Sequence, residues 1–312
     1  MGDRYVSCTL DEILIGEALP GTVYLYMHFR FVTFRAEGDV IDTVTFDRLD
    51  FKKVKNLFIL EKDRDKFSAW LGRREAEIAA VPPLPSENQS FKAVREDVKR
   101  KLHDIFQGNH PEKMVAESIE LSKALVNEVM KFPYAVHSLA QLQSYSRGTV
   151  DHSINVSVLS VYLAMQMGYS HNLILQHVGT GALLHDIGKP KVPIEDDDTP
   201  EGMEKKMLEH PTMGLRLIES QANVPNEVKM IIAQHHECND GTGYPKKLRG
   251  GQVYDLARIV SIANVFDELT GDATGTLHER QKHAIQQIDQ VLYRKFDPQK
   301  LDKALKILKL GV

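Results

Sequence analysis

From residue 86 to residue 312, apolar side chains return at spacings of three and four almost without interruption. A chain patterned this way buries its apolar stripes by packing helix on helix. The spacing predicts helices over residues 90–106, 111–132, 152–167, 173–184, 201–220, 226–236, 257–269 and 278–293, with Pro298 opening a last one that reaches Leu310. Residues 152–167 carry Ile154, Val156, Val158, Leu159, Val161 and Leu163, a more apolar set that predicts a central helix.

Residues 1–80 follow a different pattern. Residues 22–29 and 31–34 are rich in aromatic and β-branched side chains, as strands are, and Glu37-Gly38-Asp39 marks a turn. Residues 40–46 alternate in part and predict another strand, and 56–60 predict a short buried one. Residues 63–80 turn helical, with Phe67, Trp70, Leu71 and Ile78 near one face. Pro82, Pro83 and Pro85 then forbid helix and favour an extended spacer. The expectation is a mainly α protein: a small α+β module at 1–80, a linker and connecting helix at 81–110, and a helical domain at 111–312. The module carries no chemical motif, and lacks the Asp-rich start and Lys of a phosphoacceptor receiver. Sensing a ligand, contacting a signalling partner and dimerising all stay open for it, as does the oligomeric state.

A formal charge of −4 argues against a protein that coats nucleic acid. Cys8 and Cys238 are too few for a disulfide framework or a cysteine zinc site. No apolar run reaches the roughly 18–20 residues needed to cross a bilayer. Met1-Gly2-Asp3-Arg4 does not open a secretory signal. A reducing, cytoplasmic setting is therefore expected, with no membrane and no nucleic-acid polymer as partner.

The chemistry is concentrated in five histidines and one aspartate: His152, His185, Asp186, His210, His235 and His236. Successive stations lie 33, 25 and 25 residues apart, enough to leave one helix and return along the next to the same level. Imidazole and carboxylate both suit first-row transition metals. Adjacent helical side chains diverge by about 100°, so His185 can serve one ion while Asp186, with two oxygens, reaches a second. A lone histidine in a helical protein is usually a surface or packed core residue. His28, His103, His110, His137, His171, His177, His278 and His283 keep that reading, with His177 the nearest exception because its helix leads to His185.

The contexts of the six resemble the HD-GYP family, a branch of the HD metal-dependent phosphohydrolases. The matching words are Leu183-Leu184-His185-Asp186-Ile187-Gly188-Lys189, His210-Pro211 with Gly214 and Leu217, and His235-His236-Glu237 followed by Asp240-Gly241-Thr242-Gly243-Tyr244-Pro245. Arg258-Ile259-Val260, Val265-Phe266-Asp267-Glu268-Leu269-Thr270 and Phe296-Asp297-Pro298 extend the likeness over residues 110–312. The resemblance implies an all-helical HD-type bundle. In it His152, His185 and Asp186 hold one metal, and His210, His235 and His236 hold a second, with Asp186 bridging. It further implies two divalent ions, typically iron or manganese, and cyclic di-GMP as substrate. Two cations acidify a bridging water and clamp phosphorane charge, so a bridging hydroxide serves as nucleophile and no Ser or Cys nucleophile is needed. Lys189 is placed to pair with a phosphate oxygen. Asp240, Gly243, Tyr244, Pro245 and Lys246 are the further candidates for substrate contact. The Gly-Tyr-Pro loop is also a candidate partner surface.

Three departures from the family pattern bear on activity. The usual Ala-Asp-Val-Phe-Asp is here Ala263-Asn264-Val265-Phe266-Asp267, so Asn264 offers a neutral carbonyl oxygen as a weaker ligand to the first metal. The Glu of three-metal members, four residues before the first His, is Gly148, which predicts two metals. An Arg-Pro-Tyr-Arg-like segment is replaced by Gly271-Asp272-Ala273-Thr274-Gly275-Thr276, with Arg280 the nearest Arg. The stretch from Lys189 to His210 also looks shortened. Besides a phosphodiesterase, two alternatives fit: a degenerate member that binds nucleotide or partners with little turnover, and a phosphohydrolase of another phosphoester.

Overall fold

The computed structural model describes residues 4–311 except 11–12, 15, 28–29, 43–44, 47, 50–51, 53, 81–88, 108–110, 132–147, 196–198 and 274. The proline spacer and the acidic run Asp196-Asp197-Asp198 lie outside the described residues.

The N-terminal residues form a four-stranded antiparallel sheet ordered β1-β4-β2-β3, from β1 (Tyr5–Thr9), β2 (Val23–Met27), β3 (Arg30–Arg35) and β4 (Asn56–Leu60). Helix α1 (Arg64–Ala80) follows. Alternation puts Val23, Leu57 and Ile59 into a core with Phe67 and Trp70 of α1. The opposite face carries Tyr5, Tyr24, Phe31 and Phe58 in mutual ring contact. One expectation fails here. The described residues of 40–46 form no strand: Val40 makes an isolated bridge to Ala18. Asp42 then caps a helical turn, its Oδ1 accepting from Thr45 N at 2.7 Å and its backbone oxygen from Phe46 N at 2.9 Å. Strand β1 was not anticipated; its Val6 and Cys8 face inward opposite Ile59 and Leu57.

The rest is helical: α2 (Gln89–Gln107), α3 (Pro111–Lys131), α4 (Thr149–Gln166), α5 (Asn172–Leu184), α6 (Pro200–Met207), α7 (His210–Ile218), α8 (Asn226–Gln234), α9 (Asp255–Asp272), α10 (Leu277–Gln290) and α11 (Pro298–Gly311). The central helix is α4, whose Ile154, Val156, Val158, Leu159, Val161 and Leu163 are all buried. It packs on α5 and α9, and α5 packs in turn on α3 and α8. Phe91, Val98 and Leu102 of α2 join the same core.

The helix expected over 201–220 is two helices. Met207 ends α6, and Pro211, which has no N–H to offer, sits in the first turn of α7. This break puts buried His210 at the start of α7. Gly188 closes the approach: a Cβ there would strike the backbone of His210 and Gly214. No helix among the described residues is long and apolar enough to cross a membrane.

Candidate metal centre

The ends of three helices and the flank of a fourth deliver the ligands. His185 and His235 follow the last residues of α5 and α8, and His210 follows α6. The last carbonyls of a helix have no intrahelical partner. Each histidine uses one: His185 Nδ1 lies 2.6 Å from Ala182 O, His210 Nδ1 2.7 Å from Met207 O, and His235 Nδ1 2.9 Å from Ile232 O. A ring nitrogen facing a carbonyl carries the proton, so all three Nε2 atoms present lone pairs.

Those lone pairs meet. His210 Nε2 stands 3.1 Å from His235 Nε2, and His185 Nε2 stands 3.2 Å from His152 Nε2. Between them lies Asp186, fully buried. Its Oδ1 is 3.2 Å from His210 Nε2, and its Oδ2 is 3.3 Å from His185 Nε2 and 2.6 Å from Lys189 Nζ. Yet neither oxygen accepts a hydrogen bond of good geometry. A buried carboxylate shared by imidazole nitrogens on both sides, with the Lys189 ammonium beside it, is a donor set suited to cations. Among the described residues, the groups able to hold an ion are His152, His185 and Asp186, and Asp186, His210, His235 and His236, with Asp186 common to both.

His152 is held differently, from the first turn of α4. Its Nδ1 is 2.8 Å from Asp267 Oδ2, and Asp267 Oδ1 accepts from Asn155 Nδ2 at 3.2 Å. Asn155 Oδ1 accepts from Arg95 of α2 at 3.4 Å, and Arg95 and Lys99 both pair with buried Asp151. The polar chain therefore runs from α2 to the first metal position. His152 Nε2 faces Asn264 Oδ1 at 2.8 Å. So Asn264 lies at the cluster with its carbonyl oxygen toward it.

Electrostatics follow from burial and neighbours. Burial opposes charge on His152, but the hydrogen bond and charge of Asp267, with the charge of Asp186, push it up to about 9. Burial also opposes ionisation of Asp186, and its contacts with His185 and Lys189 outweigh it, holding the carboxyl well below its ordinary range. Burial and the neighbouring imidazoles keep His235 and His236 well below the ordinary histidine value, hence neutral. A metal arriving at the first position must therefore displace a proton from His152 below pH 9. Affinity there is expected to rise with pH by up to about tenfold per unit, to level off above pH 9, and to release about one proton at pH 7.5. Titration calorimetry in buffers of different ionisation enthalpy checks this. Zero proton release at pH 7.5 contradicts it.

The loop after His236 folds back on the cluster. Tyr244 stacks on the His236 ring with centroids 4.6 Å apart, and its N–H donates to His236 O at 3.1 Å. Burial, then the charges of Glu268 and Asp186, push the Tyr244 hydroxyl upward, so it stays protonated. Gly243 is buried against Cys238 and His236 backbone, where a Cβ has no room. Glu237 pins the far side, accepting from Lys246 N at 2.6 Å and Leu248 N at 2.8 Å. The Tyr244-Pro245 peptide is cis.

Other candidates are placed less centrally. Asp240 is exposed and is engaged by Thr242 within its own loop; Pro245 and Lys246 are exposed. Gly148 caps α4 with φ of 95°, a conformation that a glutamate adopts only under strain. His177, partly buried, lies 3.8 Å from Glu227 and belongs to neither ligand group. Arg280 donates to Thr270 O at 3.3 Å. Three contributors escaped sequence reasoning: Asp267, Glu237 and Glu268. The spacing of Asn264 and Asp267, three apart on one helix, was the available signal for the first.

Comparison with known proteins bears on the family of the chain. The HD domain family matches residues 114–299. A cyclic di-GMP phosphodiesterase of Pseudomonas aeruginosa is 32% identical over 161 residues, covering 50% of this chain and 39% of that protein. A 3'3'-cGAMP-specific phosphodiesterase of Vibrio cholerae is 30% identical over 185 residues, covering 57% of this chain and 34% of its own length. The chain thus spans well under half the length of these curated relatives. Among solved structures, the HDG"Y"P protein Bd1817 of Bdellovibrio bacteriovorus shares the fold, with a TM-score of 0.60 at 24% identity over 98% of this chain and 100% of that one. With the matched domain, the paired ligand groups and the Gly243-Tyr244-Pro245 loop in place, the chain belongs to the HD-domain family as an HD-GYP member.

Proposed function

We propose that the chain is a metal-dependent phosphodiesterase that hydrolyses cyclic di-GMP or a closely related cyclic dinucleotide. The observation that carries this reading is the sharing of Asp186 between two ligand groups. The donor set of neutral imidazoles and one carboxylate fits two divalent ions, iron or manganese by resemblance. When bound, such ions supply an acidified water as nucleophile and offset the charge of the phosphodiester.

The chain's own residues do the rest. The helix-end carbonyls of Ala182, Met207 and Ile232 orient His185, His210 and His235, so that Nε2 is the atom turned to the cluster. Asp267 orients His152. Lys189, about a quarter exposed beside Asp186, stands where a phosphate oxygen can take its charge. Tyr244 keeps a protonated hydroxyl next to His236, able to donate to substrate. Gly243 and the Glu237 clamp hold Tyr244 in that position, and Asp240, Pro245 and Lys246 form the exposed rim. The names of the relatives support a cyclic dinucleotide as substrate.

Asn264 and the absence of the arginine-bearing segment after Thr270 favour a second reading, a member that binds nucleotide with little turnover. Incubating the Mn(II)-loaded chain with cyclic di-GMP and, in parallel, 3'3'-cGAMP separates the two. Linear product supports hydrolysis; binding without product supports the second reading. Asn264→Asp is expected to raise both Mn(II) affinity and turnover several-fold. Unchanged values place Asn264 outside the ligand set.

A further inference from the structure

We propose that Glu268 is a positioning residue that makes Asn264 usable as a ligand, by holding its amide so that the carbonyl oxygen faces the first metal position. The inference rests on the metal-centre reading above and concerns how this chain tolerates an amide there.

An asparagine at an ion site is ambiguous in a way an aspartate is not. Turned one way, it offers Oδ1, a good donor atom; turned the other, it offers an NH2 group, which repels a cation. Position 264 is fully buried, so neither end is dissolved in bulk water. Something must choose the orientation. Glu268 lies four residues on along α9, the spacing that brings two side chains together on one helical face. Asn264 Nδ2 donates to Glu268 Oε1 at 3.0 Å, while Asn264 Oδ1 points to His152 Nε2 at 2.8 Å. An ionised carboxylate only accepts hydrogen bonds. It therefore holds the NH2 end and leaves the oxygen for the cluster. A flip would set Asn264 Oδ1 against Glu268 Oε1, two acceptors at contact distance. Glu268 also returns a negative charge one helical turn from where Asn264 lacks one, and that charge reaches the Tyr244 hydroxyl across the pocket. Position 268 is only partly buried, so truncating it opens no core cavity.

The test is Mn(II) binding, by calorimetry and by elemental analysis after dialysis, on wild type, Glu268→Ala, Glu268→Gln, Asn264→Asp and the Asn264→Asp/Glu268→Ala double variant. Glu268→Ala is expected to lower affinity at the weaker site about tenfold, as loss of a ligand's supporting partner does. Glu268→Gln keeps an accepting oxygen and should stay within about threefold of wild type. In the Asn264→Asp background the sign reverses. An aspartate needs no orienting, and the two carboxylates repel, so removing Glu268 leaves affinity unchanged or higher. A general structural role cannot produce that reversal. If Glu268→Ala does not fold, Glu268→Met carries the same expectations. Equal affinity in wild type and Glu268→Ala overturns the proposal. So does an equal loss in both backgrounds, and so does Glu268→Gln behaving like Glu268→Ala. Wild type that binds no Mn(II) overturns the metal-centre reading itself, and this inference with it.

Discussion

Asp186→Ala is expected to remove both ions together and to lower phosphodiesterase activity by more than the ~100-fold that loss of an outer partner produces. The reason is its place in both ligand groups. The same substitution is expected to lower the metal-free protein's melting temperature as well. Asp186 is completely buried and pairs with Lys189 at 2.6 Å, so its removal takes that counter-charge away. Elemental analysis, turnover and thermal melting on one preparation decide the matter. A variant that unfolds but keeps its ions when folded would show Asp186 to be structural.

Stripping the ions from wild type with a chelator should lower the melting temperature by about 10 °C for each ion removed. At an ion concentration a thousand times its dissociation constant, one site adds ~4 kcal/mol. Each kcal/mol moves the midpoint of a domain of 150–250 residues by about 2–4 °C. The ligands come from α4, the ends of α5 and α8 and the start of α7, so an ion there ties together elements distant in sequence. An unchanged melting curve after verified removal would mean that the ions, if present, sit elsewhere.

Both effects were foreshadowed by residues that announce themselves in the chain. His185-Asp186 and His235-His236 are adjacent pairs, and the three-four period placed each at a helix end. The helices themselves were legible because their apolar stripes face one shared core. What escaped is of two kinds. Long-range partners carry no local mark: Asn155 and Asp267 are 112 residues apart, and Arg95 and Asn155 are 60 apart. Local competition also misled. The period ran unbroken through 201–220, but Pro211 lacks the N–H that a continuous helix needs, and His210 takes the carbonyl of Met207. At 40–46 the partial alternation suggested a strand, and Asp42 instead capped a helical turn. The tautomers of His185, His210 and His235 lay between these cases. Each histidine stands three residues beyond a carbonyl at a helix end, a pattern visible once the helix ends are known.

The central claim is that two cations share Asp186, and anomalous diffraction from a crystal of the Mn(II)-loaded chain tests it most directly. Two peaks are predicted, one among His152, His185 and Asp186, with Asn264 Oδ1 turned toward it, and one among Asp186, His210, His235 and His236. A map with no peak in this pocket, or with peaks that Asp186 does not touch, contradicts the account.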